Sequence, residues 1–134
     1  RRAVDLPAFI AKQCAKINED PTYSKDEFTR HISFHAGGYD SADSYKQLDQ
    51  KMKEFEGGVS GNRLFFLSVP PTVFGQVAEM ISNHARAQEG GGFTRLMIEK
   101  PFGKDSETYA ELDKLTAAHF KSSQLFRLDH YLGK

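Results

Sequence analysis

The stretch Leu64-Phe65-Phe66-Leu67-Ser68-Val69-Pro70-Pro71 decides the fold. An uncharged run of this length, cut off by two prolines, reads as a strand. Its continuous apolar character suits a strand buried on both faces of a parallel sheet. Behind the prolines, Val73, Val77, Met80, Ile81 and His84 recur at helical spacing and run on toward the glycines at 90 to 92. Leu96-Met97-Ile98 supplies a second short buried strand, punctuated by Pro101 and Gly103. Tyr109, Leu112, Leu115 and Phe120 mark another helix with Asp105 as its N-cap, and Leu125-Phe126-Arg127-Leu128 forms a third strand. Strand, helix, strand, helix, strand at these lengths implies right-handed crossovers and a parallel α/β sheet. Ligands of such sheets sit at the carboxyl ends of the strands.

Upstream, Leu6, Phe9, Ile10 and Ile17 fall at helical spacing behind Asp5, with Pro7 in the first turn, which predicts a helix over 5–17. Pro21 breaks it, and Phe28, Ile32 and Phe34 lead through a short apolar segment, with a strand predicted at 31–35, to Gly37-Gly38. Tyr45, Leu48, Met52 and Phe55 then share one face of a helix that stops at Gly57-Gly58.

The 134 residues suffice for one ordinary domain, and 39% hydrophobic content with 11 Phe and 5 Tyr is enough for a real core. Eighteen Lys and Arg balance eighteen Asp and Glu, so no global field attracts nucleic acid or an anionic membrane, and any anion site must be local. No apolar run approaches the ~20 residues that span a bilayer, and the expectation is a soluble, intracellular protein. Cys14 is the sole cysteine and reads as a small packing residue. His31, His35, His84 and His119 have no spacing that forms a metal cluster, and no metal is assigned.

Polar clusters stand at the carboxyl ends of all three strands: Pro70-Pro71-Thr72, Glu99-Lys100-Pro101-Phe102-Gly103 and Asp129-His130-Tyr131-Leu132-Gly133-Lys134. Singly, each reads as a capped strand-to-helix turn; together they read as a site. Proline after Lys100 pushes its backbone out of the helical region, so its ammonium projects from a fixed turn toward a sugar hydroxyl or a phosphate. Glu99 is a weaker candidate, better suited to orienting the lysine than to proton transfer. His130 and Lys134 are four apart and share one helical face, on which imidazole and ammonium can hold a phosphate monoester, with the Tyr131 hydroxyl beside them. Asp129 has the wrong sign for phosphate and suits an N-cap or the orientation of a histidine that gains a proton.

The segments Asn62 to Pro71, Ile98 to Asp105 and Phe126 to Lys134 resemble those of glucose-6-phosphate dehydrogenases, with a likeness continuous from about Gly38 onward and looser over residues 1 to 36. The resemblance implies a Rossmann-like parallel sheet with flanking helices, its first βα unit lying before Arg1. Residues 1–128 would be part of an NADP-binding domain and 129–134 the start of an α+β substrate domain. It implies oxidation of the anomeric hydroxyl of glucose 6-phosphate to a lactone, with hydride transfer to NADP, the entry step of the pentose phosphate pathway. His130, Tyr131 and Lys134, completed by Leu132 and Gly133, would grip the substrate phosphate. Lys100 would touch substrate and cofactor. Pro70 and Phe74 would lie along the cofactor, where Tyr is commoner at the latter position, and Arg1 would hold its extra phosphate. Asp129 would partner a catalytic histidine located beyond Lys134.

Two classes of function follow. In the first, the chain is an internal piece of a working dehydrogenase, inactive and weak in NADP binding by itself, whose parent is a cytosolic homodimer or homotetramer. In the second, it belongs to a catalytically silent relative that keeps the sugar-phosphate face as a binding or regulatory module. The histidine partner of Asp129 separates them.

Overall fold

The computed structural model describes residues 5–14, 25–59, 61–100 and 106–128. The chain divides into two compact units, 1–36 and 37–134. In the first, α1 spans Leu6–Cys14 and α2 spans Lys25–Arg30. Asp5 caps α1 by accepting the Ala8 amide at 3.1 Å. Ile10 is buried while Phe9 is half exposed, so only part of the expected apolar face is used. The stretch at 15–17, including Ile17, lies outside the described residues. No strand forms at 31–35, contrary to the sequence reading. His31 instead extends the end of α2: its amide donates to the Phe28 carbonyl and its ring Nδ1 lies 2.8 Å from the Glu27 carbonyl.

The second unit carries α3 (Ala42–Phe55), β1 (Arg63–Leu67), α4 (Phe74–His84), β2 (Thr94–Glu99), α5 (Ser106–Ala117) and β3 (Leu125–Leu128). The strands form one parallel sheet in the order β1-β2-β3. Ser41 caps α3 through its hydroxyl, which accepts the Ser44 amide. Gly57 and Gly58 take φ of 66° and 83°, the left-handed turn that stops α3 and that glycine adopts without strain. A 3-10 turn at Pro71–Val73 redirects the chain from β1 into α4. That helix ends at His84, well short of the glycines. Asp105 lies outside the described residues, as do the side chains of Tyr109 and Leu112.

One core sits between the sheet and the helices. Leu67, Leu96 and Ile98 project from the strands onto Phe74, Val77, Ala78 and Ile81 of α4, with Tyr45 of α3 and Phe120 closing the flanks. Leu48 and Met52 pack against it, whereas Phe55, at the last turn of α3, is 60% exposed because the core ends before it. Gly75 brings α4 close to α5, where an added Cβ would press on Leu115. The opposite face of the sheet carries Leu64, Phe66 and Phe126, all at least 41% exposed, so the strands are buried on one face and not on both. Alternation explains it: Arg63 and Leu67 of β1 point into the helix layer, which leaves Leu64 and Phe66 on the other side. Arg95 stacks on this open face, 4.0 Å from the Phe93 ring and 5.6 Å from that of Phe126.

Polar ties lock the elements. Arg63, 4% exposed at the start of β1, grips Glu56 through Nε (2.7 Å) and a terminal nitrogen (2.9 Å). Its other terminal nitrogen reaches Asp49 at 2.5 Å and the carbonyls of Ala85 and Arg86 at 3.0 and 3.1 Å. One guanidinium thus joins α3, β1 and the end of α4. Arg86 binds Ser82 and the His119 carbonyl and lies over the Phe120 ring, while Arg127 pairs with Asp113 to tie β3 to α5. Gly92 passes so near the Gly61 carbonyl that no side chain fits between the segments entering β2 and β1.

The carboxylates around Arg63 make folding acid-sensitive. Its hydrogen bond holds Glu56 below the ordinary 4.5, outweighing burial. For Asp49 burial is the largest influence and acts upward, but hydrogen bonds from Lys53 and Arg63 and the charges of both bring it below 3.8. Folded pKa values lowered in this way contribute stability that is complete above the unfolded values and is lost as the pH falls through the folded ones. Replacing Arg63 by Met leaves the Glu56 carboxylate without its guanidinium and Asp49 with Lys53 alone, and is expected to cost about 3–5 kcal/mol. Denaturant unfolding of the whole protein checks the cost. The same measurement below about pH 4.5 should show wild type losing stability more steeply than the variant.

Candidate functional site at the carboxyl ends of the strands

The register places Leu67 opposite Ile98 and Glu99 opposite Leu128, so β1, β2 and β3 end together at one edge. There the chain leaves β1 through Ser68, Val69 and Pro70 and leaves β2 through Lys100. These residues, with Leu67 and Glu99, line a recess of about 240 Å³. Pro70 has φ −57° and ψ 140°, an extended conformation directly before the 3-10 turn at Pro71–Val73. The Lys100 amide donates to the Leu128 carbonyl at 3.4 Å, which prolongs the β2–β3 ladder by one residue and fixes the lysine's backbone at the rim.

Of the residues singled out in the sequence, Pro70 and Lys100 meet in this recess. Phe74 does not line it: the ring is 1% exposed and belongs to the core beneath, at the start of α4. Arg1, Pro101, Asp129, His130, Tyr131, Leu132, Gly133 and Lys134 lie outside the described residues. Glu99, ranked low from sequence, and Ser68, not considered at all, are both part of the lining. The Ser68 hydroxyl donates to Glu99 Oε2 at 3.2 Å. Ser68 lies inside the run 64–69, and only the level ends of β1 and β2 bring it beside Glu99. An ammonium, a carboxylate and a hydroxyl in a small recess walled by Pro70 and Val69 can both donate to and accept from a polar ligand. The volume is below the roughly 300–1,000 Å³ usual for drug-sized ligands.

A sequence model of the glucose-6-phosphate dehydrogenase NAD-binding domain matches residues 1–134. The chain belongs to the glucose-6-phosphate dehydrogenase family. It is 45% identical over 109 residues to chloroplastic glucose-6-phosphate 1-dehydrogenase 3 of Arabidopsis thaliana, a match covering 81% of this chain and 18% of that protein. With the enzyme of Hanseniaspora uvarum the identity is 37% over 133 residues, covering 96% of this chain and 26% of the relative. The chain thus spans about a fifth to a quarter of the length of these two relatives. A solved glucose-6-phosphate dehydrogenase in complex with its substrate glucose 6-phosphate superimposes with a TM-score of 0.83 at 32% identity, over 100% of this chain and 29% of that one. The enzyme from Mycobacterium avium, at 22% identity and a TM-score of 0.76 over 98% of this chain and 28% of its own, shares the fold. The parallel sheet with its helices is therefore the Rossmann-like nucleotide-binding domain of this family, as the sequence implied.

Burial separates Phe74 from its neighbours at the recess. Truncation to Ala is expected to remove about 3–5 kcal/mol of stability. Thermal unfolding of the whole protein should show a lowered midpoint, while Phe74→Tyr tests whether the ring edge has room for a hydroxyl.

Proposed function

We propose that the protein containing this chain oxidises D-glucose 6-phosphate at its anomeric carbon to 6-phosphogluconolactone, the first step of the pentose phosphate pathway. NADP, when bound, accepts the hydride from that carbon. Family membership supports the reading, and the observation that carries it is Lys100 at the rim of a recess where parallel strands end level. The residues there fit a polar ligand: Lys100 supplies a cation that donates to a sugar hydroxyl or a phosphate oxygen, and Pro70 and Val69 give an apolar wall for a ring face.

The remaining roles rest on the sequence resemblance. His130, Tyr131 and Lys134 hold the sugar phosphate, with Leu132 and Gly133 completing the segment. Asp129 orients a histidine supplied by the substrate domain and stabilises the imidazolium formed when it takes the anomeric hydroxyl's proton. Arg1 holds the cofactor's extra phosphate. The resemblance also puts Phe74 along the cofactor, and its ring is buried at the start of α4. In this reading 1–128 serves the cofactor and 129–134 opens the substrate domain.

The test is the whole protein incubated with glucose 6-phosphate and NADP, with absorbance of the reduced nicotinamide as readout. Reduction with glucose 6-phosphate and none with unphosphorylated glucose at equal concentration is the expected result; no reduction under either condition sinks the reading in favour of a silent binding module. Lys100→Gln should lower kcat/KM by roughly ten- to a hundredfold, the worth of one charge-assisted hydrogen bond.

A further inference from the structure

The face of the sheet turned away from α4 carries an apolar row with one charge beside it. Phe66 pairs with Met97 in register and Met97 with Phe126, so these three side chains line up across all three strands, and the pair Leu64 and Arg95 adjoins them toward the amino ends. Leu64, Phe66 and Phe126 are exposed. Parallel sheets occur almost only with both faces covered, and right-handed crossovers place α4 and α5 together on the opposite side. The Arg95 guanidinium lies 4.0 Å from the Phe93 ring and 5.6 Å from that of Phe126, and among the described residues no carboxylate meets it. A guanidinium stacked on rings is already ordered, and its N–H edge suits a carboxylate, which it can hold by two parallel hydrogen bonds.

An occupant of this face must bring an apolar stripe and an acidic side chain. An amphipathic helix does both, and about ten residues of it, roughly 15 Å long, cross three strands spaced at ~4.8 Å. Neither described helix of residues 1–36 qualifies: α1 carries no Asp or Glu, and α2 has Asp26 and Glu27 but only six residues with a single aromatic. α3 is committed to the core on the other side through Tyr45. The relatives extend far beyond the part that this chain matches, which leaves ample sequence to supply the helix. We propose that Arg95 is the docking charge of this face: an amphipathic helix of the same polypeptide, from outside residues 1–134, lies across Phe66, Met97 and Phe126 and sets an Asp or Glu on the Arg95 guanidinium. The inference does not depend on the reaction proposed above, and its test reads no activity.

The test uses the whole protein. Wild type is treated with phenylglyoxal, which modifies accessible arginines, in the native and in the unfolded state, and peptide mass spectrometry follows Arg95. Its modification should be severalfold slower in the native state. Arg95→Lys is then treated with a carbodiimide, which condenses an ammonium with a touching carboxylate to an amide and takes up the water released. The expected product has the mass of one polypeptide and joins the introduced lysine to an Asp or Glu outside residues 1–134. Leu64→Lys, beside Arg95 in register and on an exposed position, keeps the arginine and should join to the same carboxylate, so it decides the matter if the first variant fails to fold. Equal modification of Arg95 in both states shows an open face and overturns the proposal. Protection without any link shows a cover that brings no carboxylate, which overturns it as well. A link within residues 1–134, a product of twice the polypeptide mass, or a link to a different protein puts another occupant on the face, and each of these also overturns it.

Discussion

Everything in the second unit depends on one buried cation. Arg63 enters the protein interior at the first residue of β1 and is neutralised there by Glu56 and Asp49 while two carbonyls from the end of α4 accept hydrogen bonds from it. Burying a guanidinium is costly unless its N–H groups find partners, and here the partners come from two elements, the carboxyl half of α3 before β1 and the end of α4 after it. The arrangement therefore acts as a register pin. If α3 slipped by one residue, Asp49 and Glu56 would leave the face that meets Arg63, and the charge would be stranded. Hydrophobic contacts alone tolerate such slippage better, because Leu, Met and Tyr can exchange places at modest cost.

The helices supply the core and the strands supply the edge. Phe74, Ile81, Leu96 and Ile98 are almost wholly buried and fill the space between α4 and the sheet. Gly75 lets α5 approach α4, and Arg86 fastens the end of α4 to the turn after α5. Right-handed crossovers in a sheet of sequential order put these helices on one side. The other side carries Leu64, Phe66 and Phe126 together with Arg95, whose guanidinium lies over the Phe93 and Phe126 rings.

How far the sequence revealed this can be judged strand by strand. The apolar runs at 64, 96 and 125 were legible because prolines, glycines and polar residues bound them closely, and the structure moves the ends of the first two by no more than two residues and leaves the third as read. Burial on both faces was not legible, because Leu64 and Phe66 look the same in sequence whether a helix covers them or not. The short α2 was missed: six residues with a single aromatic carry no periodicity to detect. Arg63 was missed for a different reason. A charged residue at a strand start ordinarily points to water, and Asp49 and Glu56 look like ordinary carboxylates on an exposed helix. Their separation of seven, two turns on one face, was the available signal. At the site, Pro70 and Lys100 were recognised because proline marks a fixed turn, whereas Ser68 became visible only when β1 and β2 were seen to end level.

The two ends of β1 divide the labour. Arg63 stands at the amino end, inside the helix layer, and Ser68 just past the carboxyl end, roughly 16 Å away at the usual rise of a strand. Between them the ladder to β2 transmits position without slack, since each residue from Arg63 to Leu67 has a fixed partner from Thr94 to Ile98. Pinning the amino end thus fixes where Pro70 and Lys100 face one another. A substitution at Arg63 should act on the site only through folding, whereas one at Ser68 or Lys100 acts where no core residue is disturbed. That separation is what a parallel sheet offers: its interior fixes the register, and its carboxyl edge remains open to polar side chains whose loss the fold can survive.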